Sequence, residues 1–282
     1  MIAITGATGQ LGRLVIENLL KKRPAAEIVA AVRSPDKAAD LKAAGIQVRH
    51  ADYSRPETLA QAFAGVDKLL LISSSEIGQR APQHRAVIDA AKNAGVKLIA
   101  YTSILRADTS PLGLAEEHRQ TETALRASGT HFVLLRNGWY TENYAASVPA
   151  ALQHGVMLGS AGQGRIASAA RADYAEAAAA VLTTDGHAGK VYELAGDTSY
   201  TLAEFAAEIA RQSGKPIGYK NLPERDFSAA LVAAGLPEGF AAVLADSDAG
   251  ASKGALFDDG QQLSQLIGHA TTPLSKIVGA AL

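Results

Sequence analysis

The chain has 282 residues, with 27 lysines and arginines against 28 acids, and no cysteine. Near-zero net charge argues against the basic surface that a nucleic-acid partner requires, and the missing thiols exclude disulfides, thiolate nucleophiles and cysteine-based metal sites. No uninterrupted apolar run approaches the roughly 20 residues of a bilayer span, and no basic-then-apolar leader opens the sequence, so a cytoplasmic protein with no membrane anchor is expected.

The chain starts on a short apolar strand that runs directly into Gly6-Ala7-Thr8-Gly9-Gln10-Leu11-Gly12, followed by Leu14, Val15, Asn18 and Leu19 at helical spacing. Glycine allows the positive φ of a sharp strand-to-helix turn and leaves backbone N–H groups open to a phosphate, which a β-carbon would obstruct. The stretch 27–33 supplies a second apolar strand about where a βαβ unit would end, so this strand, glycine loop and helix read as a dinucleotide site.

The alternation continues. A helix is expected over 35–44, closed by Gly45, then a strand over 46–50 and a helix over 56–64, closed by Gly65. The run 68–72 is continuously apolar, as a strand buried on both faces should be. A helix over 82–94 carries proline in its first turn and Gly95 past its end. A strand over 97–102, a helix over 114–128 and a strand over 131–136 complete the pattern. Strict succession with short connections predicts an α/β fold, a Rossmann-type doubly wound parallel sheet.

From residue 137 the regularity fails. Residues 140–154 read as helix, 155–164 as a glycine-rich loop with a short strand, 172–183 as an alanine-rich helix and 191–194 as a strand. A helix over 201–213 has Thr201 as a plausible cap, with Glu204 three residues on. The expected organisation is a Rossmann domain over 1–136 and a smaller, mostly helical C-terminal lobe over 137–282. Some segments of that lobe are expected to return to the Rossmann core, the rest to form the substrate side of a cleft.

Arg33 ends the second strand, where an NAD-selective site would offer an acid to the ribose hydroxyls. A guanidinium there favours the 2′-phosphate of NADP, against the alternative of an ordinary surface arginine. Asp52 and Tyr53 follow the third strand. They could reach the adenine, or Asp52 could cap the helix that starts near Pro56. Ser73, Ser74 and Ser75 close the fourth strand on the ligand side of such a sheet, and suit either close passage of a cofactor or a plain turn.

Thr5 to Gly12, the run Leu70-Leu71-Ile72-Ser73-Ser74-Ser75-Glu76 and the segment Leu135-Arg136-Asn137-Gly138-Trp139-Tyr140-Thr141-Glu142-Asn143 resemble the NmrA-like branch of the atypical short-chain dehydrogenases, in particular its bacterial quinone-reducing members. The resemblance extends through Pro82-Gln83-His84-Arg85 to the closing Leu266-Ile267-Gly268-His269. It implies NADPH as cofactor, with Gly6 to Gly12 at the pyrophosphate, Arg33 at the 2′-phosphate, and Ser73 to Ser75 with Asn137, Gly138, Trp139 and Tyr140 at the ribose and nicotinamide. A small planar quinone would then meet Tyr140, Asn143 and Tyr174.

One departure from the wider superfamily is informative, since none of the eight tyrosines has a lysine four residues on. Ketone reduction needs an acid beside the hydride acceptor, whereas a quinone yields a weakly basic hydroquinone anion that water can protonate. The missing Tyr-x-x-x-Lys pair therefore fits direct hydride transfer from NADPH to a quinone without flavin. It equally fits an NmrA-type NADP(H)-binding redox sensor without turnover.

Other patterns carry less. Gly250-Ala251-Ser252-Lys253-Gly254 matches a hydrolase elbow but lacks the apolar strand that must feed the serine. Asp246 and Asp248 are expected in loop or capping roles. The seven histidines show no metal-binding spacing, so no metal site is expected. His118 and Glu122, one turn apart on the helix where the superfamily holds its catalytic pair, read as a polar surface face. Trp139 and Tyr140 are either core aromatics or, the reading favoured here, a stacking wall for a flat ring.

Overall fold

The computed structural model describes residues 1–282. The chain divides into two units: Met1–Ala107, Glu116–Asn137 and Arg171–Tyr192 form the first, and Asp108–Ala115, Gly138–Ala170 and Glu193–Leu282 the second.

The sheet is built from β1 (Ile2–Thr5), β2 (Ile28–Val32), β3 (Gln47–His50), β4 (Lys68–Leu71), β5 (Leu98–Ile104), β6 (His131–Asn137) and a last strand at Val191–Leu194, within which the chain passes from the first unit to the second. Its order runs β3-β2-β1-β4-β5-β6 and then that last strand, and the pairings from β3 across to β6 are all parallel. The order reverses direction between β1 and β4, the topological switch point at which such sheets open a crevice outside their strand ends.

Strands β1 and β2 are buried at every residue because helices cover both faces. One face carries Ala3, Val29, Leu69, Ile99 and Leu134 against α3 (Pro56–Ala62), α4 (Arg80–Asn93) and α5 (Ala115–Ser128). On the other lie α1 (Gln10–Leu20) and α8 (Arg171–Thr183), which pack together. The alanine run of α8, buried from Ala177 to Ala180, keeps that helix pair close. Between β2 and β3 a 3-10 turn at Pro35–Ala38 precedes the short α2 (Ala39–Ala43), so the helix expected there is shorter and less regular.

The second unit holds α6 (Thr141–Ala145), α7 (Val148–His154), β7 (Val156–Gly159), α9 (Leu202–Ser213), β9 (Gly218–Asn221), α10 (Glu224–Ala233), α11 (Glu238–Ala251), α12 (Gln262–Ile267) and α13 (Leu274–Ala281); β8 is the strand at Val191–Leu194. β7 and β9 pair in parallel. Tyr144, Tyr200 and Phe205 pack ring against ring in its core. The capping box expected at Thr201 is present, with the Glu204 amide donating to Thr201 Oγ1 and the Thr201 amide to Glu204 Oε2. No helix is long and apolar enough to cross a membrane.

Candidate dinucleotide and acceptor sites

At the switch point Thr5 is completely buried, and its hydroxyl donates to the Leu70 carbonyl (3.1 Å) and accepts the Ile72 amide (2.9 Å). This clasp joins the ends of β1 and β4, so the glycine loop and the serine run leave the sheet side by side. Gly6 takes φ +58°, and the Gly9 amide donates back to its carbonyl at 2.9 Å. A β-carbon on Gly12 would stand 2.4 Å from that same carbonyl and 2.8 Å from Ala7 Cα, so Gly12 is what lets α1 sit against the loop.

Helix α1 starts with no side-chain cap and no acid in its first turn. Its first amides and partial positive charge therefore remain available to an anion. Gly6, Thr8, Gly9, Arg33, Asp52, Tyr53 and Ser73 to Ser75 all line one cavity of about 360 Å³. Within the glycine motif, Ala7, Leu11 and Gly12 are buried and Gln10 is exposed at the helix start, so Ala7, Leu11 and Gly12 offer a ligand backbone amides and not side chains.

Sequence reasoning did not assign several residues of this wall to the cofactor, among them Lys37, Glu76 and Gln83. Lys37 stands four residues beyond Arg33 and could have been noticed as a second cation there. Glu76 accepts from Arg33 Nη1 at 2.6 Å and from Gln83 Nε2 at 2.7 Å, and Gln83 foremost, then Arg33, hold its carboxyl below the usual range. Gln83 is buried and its Oε1 meets no donor within the protein. The capping role considered for Asp52 falls, because Arg55 occupies the N-cap of α3 and Asp52 Oδ1 accepts the Ser54 amide.

The serine run is shaped from behind. Ser73 N–H donates to Thr102 Oγ1 and Ser74 N–H to His84 Nε2, both at 2.9 Å, while Arg80 Nε donates to the Ser74 carbonyl at 2.7 Å. Since an amide can only donate, His84 carries its proton on Nδ1 and gives it to Thr121 Oγ1 (2.9 Å). Burial above all, and then Arg80, pushes the His84 imidazole down to about 3.

The pair on α5 does not form a surface face. His118 and Glu122 are both buried. His118 Nδ1 meets the Tyr101 hydroxyl at 2.7 Å, and burial drives its basicity well below the ordinary value. Glu122 accepts from Ser103 Oγ (2.6 Å) and from Arg136 Nε and Nη2 (2.9 and 2.6 Å). The helix turns this face toward the sheet and satisfies its polar groups there.

The segment after β6 divides. Asn137 is buried at the end of that strand in the first unit, whereas Gly138, Trp139, Tyr140 and Asn143 belong to the second. Trp139 and Asn143 line a separate cavity of about 570 Å³ that lies wholly within the second unit; Tyr140 instead caps α6 and bridges to Ala169. Tyr174 requires correction. It is fully buried in α8 of the first unit and lines neither cavity, so contact with a substrate is not open to it.

Asp246 and Asp248 also differ from expectation, since both stand on α11 and not in a loop. Asp246 Oδ2 accepts the Gly113 amide. Asp248 is buried, takes the Tyr144 hydroxyl (2.8 Å) and the Ser160 amide (2.9 Å), and is raised by burial above the usual carboxylate range. Ser252 is the C-cap of α11 and donates to the Ala249 carbonyl, which removes the hydrolase elbow.

A parallel sheet with a glycine loop at its switch point, an uncapped helix start and two cations on the cavity wall defines a Rossmann-type dinucleotide-binding protein. The chain belongs to the NAD(P)H-binding family, whose model matches residues 6–185. Among relatives, it is 66% identical to Quinone oxidoreductase 2 of Escherichia coli, over 99% of this chain and 97% of that one. A crystal structure of an NADPH-dependent quinone oxidoreductase complexed with NADPH, also from Escherichia coli, superposes with a TM-score of 0.97 at 65% identity, covering 99% of each chain. Citrobacter sp. triphenylmethane reductase complexed with NADP(H) superposes with a TM-score of 0.96 at 42% identity, covering 100% of each.

Proposed function

We propose that this chain is an NADPH-dependent quinone oxidoreductase that passes a hydride directly to the quinone, without flavin. The observation that carries the reading is the meeting of glycine cradle and Arg33 in one cavity, on a chain similar along nearly its whole length to Quinone oxidoreductase 2. The residues present fit the cofactor. The loop amides and the start of α1 would take the pyrophosphate, and Arg33 with Lys37 would take the 2′-phosphate through charge-assisted hydrogen bonds. Asp52 and Tyr53 would border the adenosine half, and Ser73 to Ser75 the ribose and nicotinamide side.

Reduced nicotinamide, when bound, supplies the hydride for a two-electron reduction. The protein's share is position and dryness. Trp139 offers a flat apolar wall for the acceptor ring, and Asn143 a polar group for its carbonyl oxygens. No side chain need supply a proton. His118, on the helix that carries the acid in the wider superfamily, is buried against Tyr101, and water suffices for a hydroquinone anion.

The test is NADPH oxidation with benzoquinone as acceptor, using protein stripped of flavin. Sustained oxidation above the spontaneous rate is expected. Tight binding of both reduced and oxidised cofactor with no turnover would overturn the enzyme reading in favour of a dinucleotide sensor.

A further inference from the structure

We infer that the cavity of the second unit holds the hydrocarbon side chain of a lipophilic quinone, which makes alkyl- or prenyl-substituted benzoquinones the substrate class this chain selects. The inference rests on the quinone-reductase reading and goes beyond it.

Size is the first ground. A cavity of roughly 150 Å³ suffices for a benzene ring. The space here is about 570 Å³, several times what a bare quinone ring fills.

Chemistry is the second. Ala151, Met157, Phe227, Leu231 and Leu244 present hydrocarbon to the cavity. Two of the wall's polar side chains are engaged with the protein. Asp248 takes the Tyr144 hydroxyl on one oxygen and the Ser160 amide on the other, and Ser147 Oγ donates to the Tyr144 carbonyl at 2.7 Å. Beyond the Trp139 indole N–H, which meets no acceptor in the protein, a sugar or a charged ligand would bury most of its polar groups against hydrocarbon, at a cost in free energy. A hydrocarbon chain suffers no such loss, and gains by leaving water.

Trp139 and Asn143 add an amphipathic ring and an amide to this wall. They suit the ring end of a molecule whose other end is a tail.

The chain has a single tryptophan, and it stands in this wall, so binding can be read without turnover. Titration with decanol should change Trp139 emission saturably, and Ala230→Phe, which fills the space from half-exposed α10, should weaken that response. In steady state a decyl-substituted benzoquinone should show kcat/KM higher than its tail-less parent by about tenfold or more, through KM. Ala230→Phe should bring the ratio toward one. Equal KM for the two quinones, a polycyclic quinone preferred over the decyl compound, or unchanged emission with decanol would overturn the side-chain assignment while leaving the reductase reading intact. Decanol binding with no turnover of either quinone would defeat the reductase reading and the quinone assignment with it. Should Ala230→Phe fail to fold, the comparison of quinones on the natural chain decides alone.

Discussion

Arg33 Nη1 and Glu76 Oε1 face each other at 2.6 Å on the wall of the dinucleotide cavity, one from the end of β2 and the other from beyond the end of β4. The residue proposed to hold the 2′-phosphate is thus already engaged by a carboxylate. Phosphate and Glu76 must compete for one guanidinium.

Both partners are largely exposed, 69% and 43%, and an exposed pair of this kind is worth about 0–1 kcal/mol. Glu76→Gln should therefore tighten NADPH binding by no more than about fivefold and leave NADH binding nearly unchanged. Equilibrium titration with both nucleotides measures this. Equal gains for the two would mean that Glu76 does not compete at the 2′ position.

Arg33→Asp acts on the same contact from the other side. It removes the pairing group and adds a repelling charge, so the preference for NADPH over NADH should fall by about 2 kcal/mol or more. Unchanged discrimination would show that the 2′-phosphate lies elsewhere.

The last two glycines of the motif, Gly9 and Gly12, should separate fold from binding. Gly12→Ala puts a β-carbon 2.4 Å from the Gly6 carbonyl, against backbone that can yield only by moving α1, and should destabilise the protein by about 1–3 kcal/mol. Gly9→Ala meets the same carbonyl at 3.1 Å with φ at −74°, which any residue adopts. It should keep most of the stability and lose NADPH affinity. Denaturant melts paired with titrations distinguish the two outcomes.

Stability should fall with acid before the carboxylates titrate. His84 is held down to about 3 from its ordinary 6.5, chiefly by burial, and His118 is likewise depressed. Below 6.5 the unfolded chain takes up protons that the folded chain refuses, so the stabilisation present above that pH is lost as pH falls toward the folded value. Each histidine should contribute a slope of about 1.4 kcal/mol per pH unit. Denaturation at pH 6 and about 5, where carboxylates are still mostly ionised, isolates the effect, and His84→Gln should shallow the slope.

Glu122→Ala should destabilise the protein by up to about 3–5 kcal/mol, because it removes from the buried Arg136 guanidinium the carboxylate that accepts two of its hydrogen bonds. A mild loss of stability with abolished turnover would instead mean that Glu122 takes part in the chemistry.

The sequence by itself determined the succession of strands and helices, the glycine cradle and the cation at the end of β2, because each is written in neighbouring residues: apolar runs, glycines at turns, one charge at a strand end. Even the capping box at Thr201 is a contact three residues long. Tertiary structure alone decided which faces are buried. His118, Glu122 and Tyr174 look like exposed or accessible positions until α5 and α8 are laid on the sheet, and Asp248 looks like a loop residue until α11 carries it to Tyr144. It also decided the contest between Arg33 and Glu76, 43 positions apart. Local propensity and spacing act within a few residues, whereas desolvation and pairing depend on what the folded chain brings alongside.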